Sequence, residues 1–205
     1  MHLAWDLISL VSGGRVRTRM WSRSKTIYLT FDDGPHPDNT ASLIRLLEKY
    51  DAKATFFLVG SKVEQNGEVV KSLIRSGHRL GNHSFSHRRL KTLTMSEMRK
   101  ELALADAAMK SIDGHENHVI RPPWGQIRLS QLLYCIFSGK RVALWSRDSC
   151  DYKDSAEQII RRFRETPLVG GDVVLFHDDG PVAQAALEAL LPEWRAAGYE
   201  LAALP

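Results

Sequence analysis

Two carboxylates, Asp32 and Asp33, stand side by side in TFDDGP where an apolar run ends. Like charges that close repel, unless a cation beside them keeps both ionised. Two histidines, His83 and His87 in HSFSH, are four residues apart, so in a helical turn both imidazoles point the same way and can share one cation. With one of the aspartates they form a set of two imidazoles and one carboxylate. Three protein ligands leave a coordination position open for water, the arrangement of a catalytic rather than a structural metal site. Neighbouring side chains on an extended segment diverge, so one aspartate can ligate while the other stays free to act as a base.

These residues must be carried by elements that bring them together. Residues 26–31, 54–59, 79–82, 118–121, 141–146, 172–177 and 199–203 read as strands, separated by helical patterns. Thr94 with Glu97, and Ser155 with Gln158, are capping boxes. Gly77 and Gly198 are helix stops, and Pro192 is expected to kink or restart the helix that begins near Pro181. Seven β/α alternations imply one largely parallel α/β sheet, either an incomplete barrel or a doubly wound layer. In that register Asp32 and Asp33 follow the first strand and His83 and His87 the third. Arg121 closes the fourth, Asp148 and Asp151 follow the fifth, and His177 closes the sixth. All sit at carboxyl ends, the edge where such folds bind ligands. His115 and His118 fall at the opposite end and read as loop, His78 as a packing or capping residue near Gly77, and His36 as a neighbour of the site.

Each piece alone has a plainer account. An isolated HxxxH pair is more often a surface feature, and Asp-Asp-Gly-Pro is turn-forming. Their joint placement on one edge makes the plain account fail.

The 205 residues, 43% of them apolar, suit one globular domain, residues 26–205, behind an N-terminal extension, residues 1–25. A net charge of +4 without a run of like charges gives no nucleic-acid footprint; Arg88, Arg89 and Lys91, like Arg161, Arg162 and Arg164, read as solvated faces. Cys135 and Cys150 form neither a disulfide framework nor a CxxC metal spacing. Residues 7–11 are apolar, but no Lys or Arg precedes them and Asp6 lies just before them, so neither an export signal nor a membrane span is expected, and a cytoplasmic location follows. The extension is expected to form a short amphipathic helix that covers one end of the fold or touches a membrane surface. A monomer is expected.

Five stretches in order, TFDDGP (30–35), HSFSH (83–87), RPPWG (121–125), DSCDY (148–152) and LFH (175–177), resemble the motifs of the polysaccharide deacetylases with a NodB-homology domain, carbohydrate esterase family 4. ATFFLVG and SGHRLGNH are also similar. The resemblance implies a distorted (β/α)7 barrel and a metal-dependent hydrolase that removes the N-acetyl group from an amino sugar of an oligo- or polysaccharide, releasing acetate. It implies that Asp33, His83 and His87 hold one divalent ion, zinc first, with cobalt, nickel, manganese or iron accepted by the same ligands. It further implies that Asp32 is the general base paired with Arg121, and that His177 is the general acid paired with Asp151. Trp124, Tyr152 and Leu175 would contact the substrate, with the backbone N–H of Trp124 donating to the oxyanion and Leu175 lining the acetyl pocket. Trp124 stands where the family more often has Tyr, and Tyr152 where it often has Trp. Two alternatives share the motif set: deacylation of a lipid-linked or nucleotide-linked amino sugar, and glycan binding without catalysis. An iron oxygenase could use the same ligands but has no need of a free Asp32, of Arg121 or of His177.

Overall fold

The computed structural model describes residues 13–20 and 24–205. Of the extension, residues 1–25, for which an amphipathic helix is expected, residues 1–12 and 21–23 lie outside the described residues. Among those described, nine short strands form one sheet: β1 (Val16–Arg17), β2 (Thr26–Asp32), β3 (Thr55–Leu58), β4 (Arg79–Asn82), β5 (Val119–Ile120), β6 (Val142–Ala143), β7 (Arg147–Asp148), β8 (Val173–His177) and β9 (Glu200–Ala202). Their order is β1-β6-β5-β4-β3-β2-β8-β7, with β9 also on β2, and every pairing is parallel. The sheet ends on β7 at one side and at the other on β6 with β1 added outside it; β6 and β7 are successive in the chain, so the sheet rolls into the distorted barrel that the family resemblance implies.

Among the described residues, seven α-helices fill the crossovers: α1 (Pro37–Lys49), α2 (Gly60–Gln65), α3 (Gly67–Arg75), α4 (Met95–Asp113), α5 (Leu129–Phe137), α6 (Ala156–Glu165) and α7 (Pro181–Ala196). Thr94 and Ser155 close the capping boxes of α4 and α6 as expected. The outward residues of β2, β3 and β8, among them Ile27, Leu29, Phe31, Phe56, Leu58, Val174 and Phe176, join α1, α3, α6 and α7 in the principal core. Alternation therefore turns Thr30, Asp32, Phe57, Leu175 and His177 into the barrel.

Three expectations are revised. Residues 141–146 are not one strand but are followed by a second short one, β7, because the chain leaves β6 to join β8 on the other side of the opening. Residues 16 and 17 of the extension add β1 beside β6. Helix α7 runs through Pro192 without restarting. Buried Leu187, Leu190, Leu191 and Trp194 on its core face hold it against the sheet, outweighing the hydrogen bond that proline cannot make.

Candidate active site

The parallel register sets Asp32 of β2 directly opposite His177 of β8. Their side chains stand on the barrel side, at the carboxyl edge, each held by one partner of opposite charge. Arg121, just past β5, is fully buried, and its Nη1 donates to Asp32 Oδ1 at 2.7 Å and to Thr30 Oγ1 at 2.8 Å. Its Nε and Nη2 donate to the carbonyls of Ala143 and Leu144, while Phe57 lies under the guanidinium at 4.0 Å. A buried charge is tolerable only when paired and hydrogen-bonded in this way. Asp151 holds His177 with both oxygens: Oδ1 is 2.7 Å from Nδ1 and Oδ2 accepts the backbone N–H at 2.7 Å. Burial opposes the imidazolium, but the Asp151 carboxylate outweighs it and pushes the His177 pKa up to about 9.

Beside this pair, ligand atoms of Asp33, His83 and His87 lie within 4.8 Å of one another. Asp33 Oδ1 is 3.3 Å from His83 Nε2 and 3.0 Å from His87 Nε2, yet it is buried without a well-directed hydrogen bond. His83 Nδ1 is 2.7 Å from the carbonyl of Arg121, which can only accept, so Nδ1 carries the proton. In neutral His83 the lone pair of Nε2 then faces a carboxylate oxygen, and only a cation between them satisfies both. The orphaned oxygen, the fixed tautomer and the donor set all fit a divalent ion. Burial resists the charge of Asp33, but the two imidazoles, when protonated and with no cation between them, hold its carboxyl well below the usual range.

The loops that carry these groups are held in uncommon conformations. Asp33, Ser84, His87, Trp124 and Cys150 all have φ between 55° and 74° without being glycine. Among the described residues, the one other non-glycine with positive φ is Asp51, at 47° and away from the site. Such backbone costs about 1–3 kcal/mol per residue and persists where its surroundings enforce it, typically at functional sites.

The walls are aromatic. Trp124, 48% exposed, leans over His87 with ring centroids 4.4 Å apart, and the Arg89 guanidinium covers the indole at 4.7 Å. Tyr152, 63% exposed, meets the His177 ring edge-on at 5.7 Å. Leu175 is buried two residues before His177 on the same face of β8. The chain thus brings together every residue expected at the site. Asp148, also expected nearby, turns inward to accept the N–H of Cys150. His78 is buried and accepts the N–H of Ala54 through Nδ1, and His36 caps α1. His118 is more than a loop residue: it is buried between Asp106 and Asp113 at 3.1 and 2.9 Å. A cavity of about 380 Å³ lies at that opposite edge, lined by His78, Arg79, His118 and Arg141, remote from the carboxylates and imidazoles that could do chemistry.

Sequence patterns did not single out Thr30, Asn82 or Glu101. Glu101 carried a usable signal, a charged residue on the apolar face of α4 between Met98 and Leu102, both buried.

The polysaccharide deacetylase family matches residues 21–134. The chain is 30% identical over 183 residues, 87% of its length, to a peptidoglycan-N-acetylglucosamine deacetylase of Bacillus cereus. It is 33% identical over 180 residues, 86% of its length, to the peptidoglycan-N-acetylmuramic acid deacetylase PdaC of Bacillus subtilis. It spans 66% of the first of these relatives and 37% of the second. The crystal structure of the peptidoglycan N-acetylglucosamine deacetylase Bc1960, in complex with 4-naphthalen-1-yl-N-oxidanyl-benzamide, superposes with a TM-score of 0.90 at 29% identity, over 96% of this chain and 94% of that one.

Proposed function

Since the chain belongs to the polysaccharide deacetylase family, we propose that it is a metal-dependent hydrolase that removes the N-acetyl group from an amino sugar of a glycan and releases acetate. One observation carries this reading. A carboxylate–guanidinium pair, Asp32–Arg121, and an imidazole–carboxylate pair, His177–Asp151, flank a cluster of three metal-binding side chains. The first pair presents a carboxylate oxygen that can accept a proton and the second an imidazole that can donate one, as amide hydrolysis requires of a base and an acid. The family match ends at residue 134, so the acid half of the site rests on this geometry.

Asp33, His83 and His87 would hold the cation, zinc by preference, though cobalt, nickel, manganese and iron suit the same donors. Once bound, a divalent ion would lower the pKa of a coordinated water towards neutrality and polarise a carbonyl oxygen. Asp32 takes a proton from the attacking water, with Arg121 fixing the carboxylate so that its free oxygen faces the cluster. The backbone N–H of Trp124 donates to the oxyanion that develops on the acetamide carbonyl. His177, with Nδ1 on Asp151, presents Nε2–H to the nitrogen of the breaking C–N bond and leaves a free amine. Leu175 receives the acetyl methyl, and Tyr152 and Trp124 flank the sugar. The names of the relatives support an N-acetylated sugar of peptidoglycan as the substrate.

Acetate release from N-acetylglucosamine oligomers, peptidoglycan fragments and nucleotide-linked or lipid-linked N-acetyl sugars, with Asp32→Asn as control, tests the reading. Release that the variant loses establishes the hydrolase and ranks its substrates. Zinc-loaded protein that binds these glycans but frees no acetate would make it a binding protein.

A further inference from the structure

We propose that Glu101 is a positioning residue for the cation cluster, and that its buried carboxylate holds His87 in ligating position through the loop that joins His83 to His87. The inference rests on the reading of Asp33, His83 and His87 as a cation site.

Glu101 projects from α4 with only 9% of its surface exposed. Its Oε2 accepts the backbone N–H of Phe85 at 3.1 Å and of Ser86 at 2.8 Å, and its Oε1 accepts the hydroxyl of Ser86 at 2.7 Å. No basic side chain among the described ion pairs answers its charge. Removing a carboxylate from water costs several kcal/mol, which here only loop hydrogen bonds offset. The rest of the loop is pinned from other sides. Asn82 Oδ1 accepts the N–H of Ser84, and the N–H groups of Gly60 and Ser61 donate to the carbonyls of Ser84 and Phe85.

This clamp bears unequally on the two histidines. His83 is 2% exposed and its Nδ1 is tied to the Arg121 carbonyl, so its ring is fixed independently of the loop. His87 has a side chain 28% exposed, and besides Asp33 its contacts are with the His83 and Trp124 rings. Its backbone is left-handed at φ 55°, and Ser84, at the start of the loop, is also left-handed at φ 63°. Released from Glu101, the loop relaxes toward ordinary φ values and swings the His87 imidazole away from Asp33. A second consequence is electrostatic, since an uncompensated carboxylate behind the loop adds negative potential where a cation would sit.

The experiment is a zinc titration of the whole chain against a chromophoric chelator, for wild type, Glu101→Ala, Glu101→Gln and Ser86→Ala. The visible spectrum of each cobalt-loaded protein reports ligand geometry independently of activity. Glu101→Ala should raise the zinc Kd by about 10–100-fold and alter the cobalt spectrum. Glu101→Gln should lie between it and wild type, and Ser86→Ala should show the smallest rise. The two substitutions that keep or barely change volume carry the test if Glu101→Ala does not fold. Folded variants with wild-type zinc Kd and cobalt spectrum would overturn the clamp. A wild-type protein that binds no zinc would remove the cation site itself, and this inference with it. Acetate release, measured separately, leaves the comparison of affinities unaffected.

Discussion

His177 owes its charge chiefly to Asp151, with Asp32 and Asp33 adding to the effect, and the sign fixes a pH dependence. Its pKa is pushed up to about 9, so the ion pair with Asp151 contributes stability below the unfolded value of about 6.5 and loses it as pH rises through about 9. The imidazolium able to donate a proton is therefore the main form at neutral pH. In metal-free protein, NMR should find His177 titrating near 9, and Asp151→Asn should bring it down by more than one unit, with the alkaline limb of kcat/KM moving the same way. A titration near 6.5 in the unaltered chain would contradict this account of the acid. Arg121 makes a second case. Replacing it with Ala leaves the buried Asp32 carboxylate, 3% exposed, without its cation. Such a loss costs about 3–5 kcal/mol, and urea unfolding should show it alongside the loss of activity.

Elements hold these residues by close approach. Gly81 in β4 faces the Phe57 ring of β3, and a methyl group there would lie 2.4 Å from a ring carbon. Phe57 in turn supports the guanidinium of Arg121. Gly81→Ala should therefore destabilise the fold by about 1–3 kcal/mol and lower kcat, although residue 81 touches no substrate. Activity unchanged in a folded variant would show that Phe57 does not transmit the displacement. The elements that could be read from the sequence were those with local signals: periodic strands, capping boxes, glycine stops. What could not be read was set at a distance. The chain leaves β6 for β7 because β8 offers an open edge, and Pro192 is tolerated because α7 is buried along one face. Neither fact has a local signature. Glu101 is intermediate, since its place on the apolar face of α4 is local but its loop partners are not.

At the scale of the molecule, the cation cluster links stability to metal. Asp33 and the histidines come from loops after two different strands, so they meet only in the folded chain, and an ion that binds there binds the native state alone. Zinc at about 100 times its Kd should add about 2.7 kcal/mol, a rise in Tm of about 5–10 °C for a chain of this size, reversed by chelation. Calorimetry of His87→Ala should show most of that rise gone; a full rise in the variant would place the ion elsewhere. The convergence of Asp32, His83, Arg121, Asp151 and His177 on one edge was legible because parallel topology sorts residues by strand end, whatever their separation in sequence. Which loop conformations the site demands was not, because the left-handed residues there are Asp, Ser, His, Trp and Cys rather than glycine.

The pairing of Asp32 with His177 across β2 and β8 has one more consequence. The step from one strand to its hydrogen-bonded neighbour is about 4.8 Å in any sheet, so the spacing of the two groups that move protons is built from backbone and serves as a ruler. Trp124 and Tyr152, by contrast, stand on loops, and loops accept new lengths and shapes at small cost. An engineer could thus rebuild the walls for a wider or narrower sugar while the ruler stays in calibration.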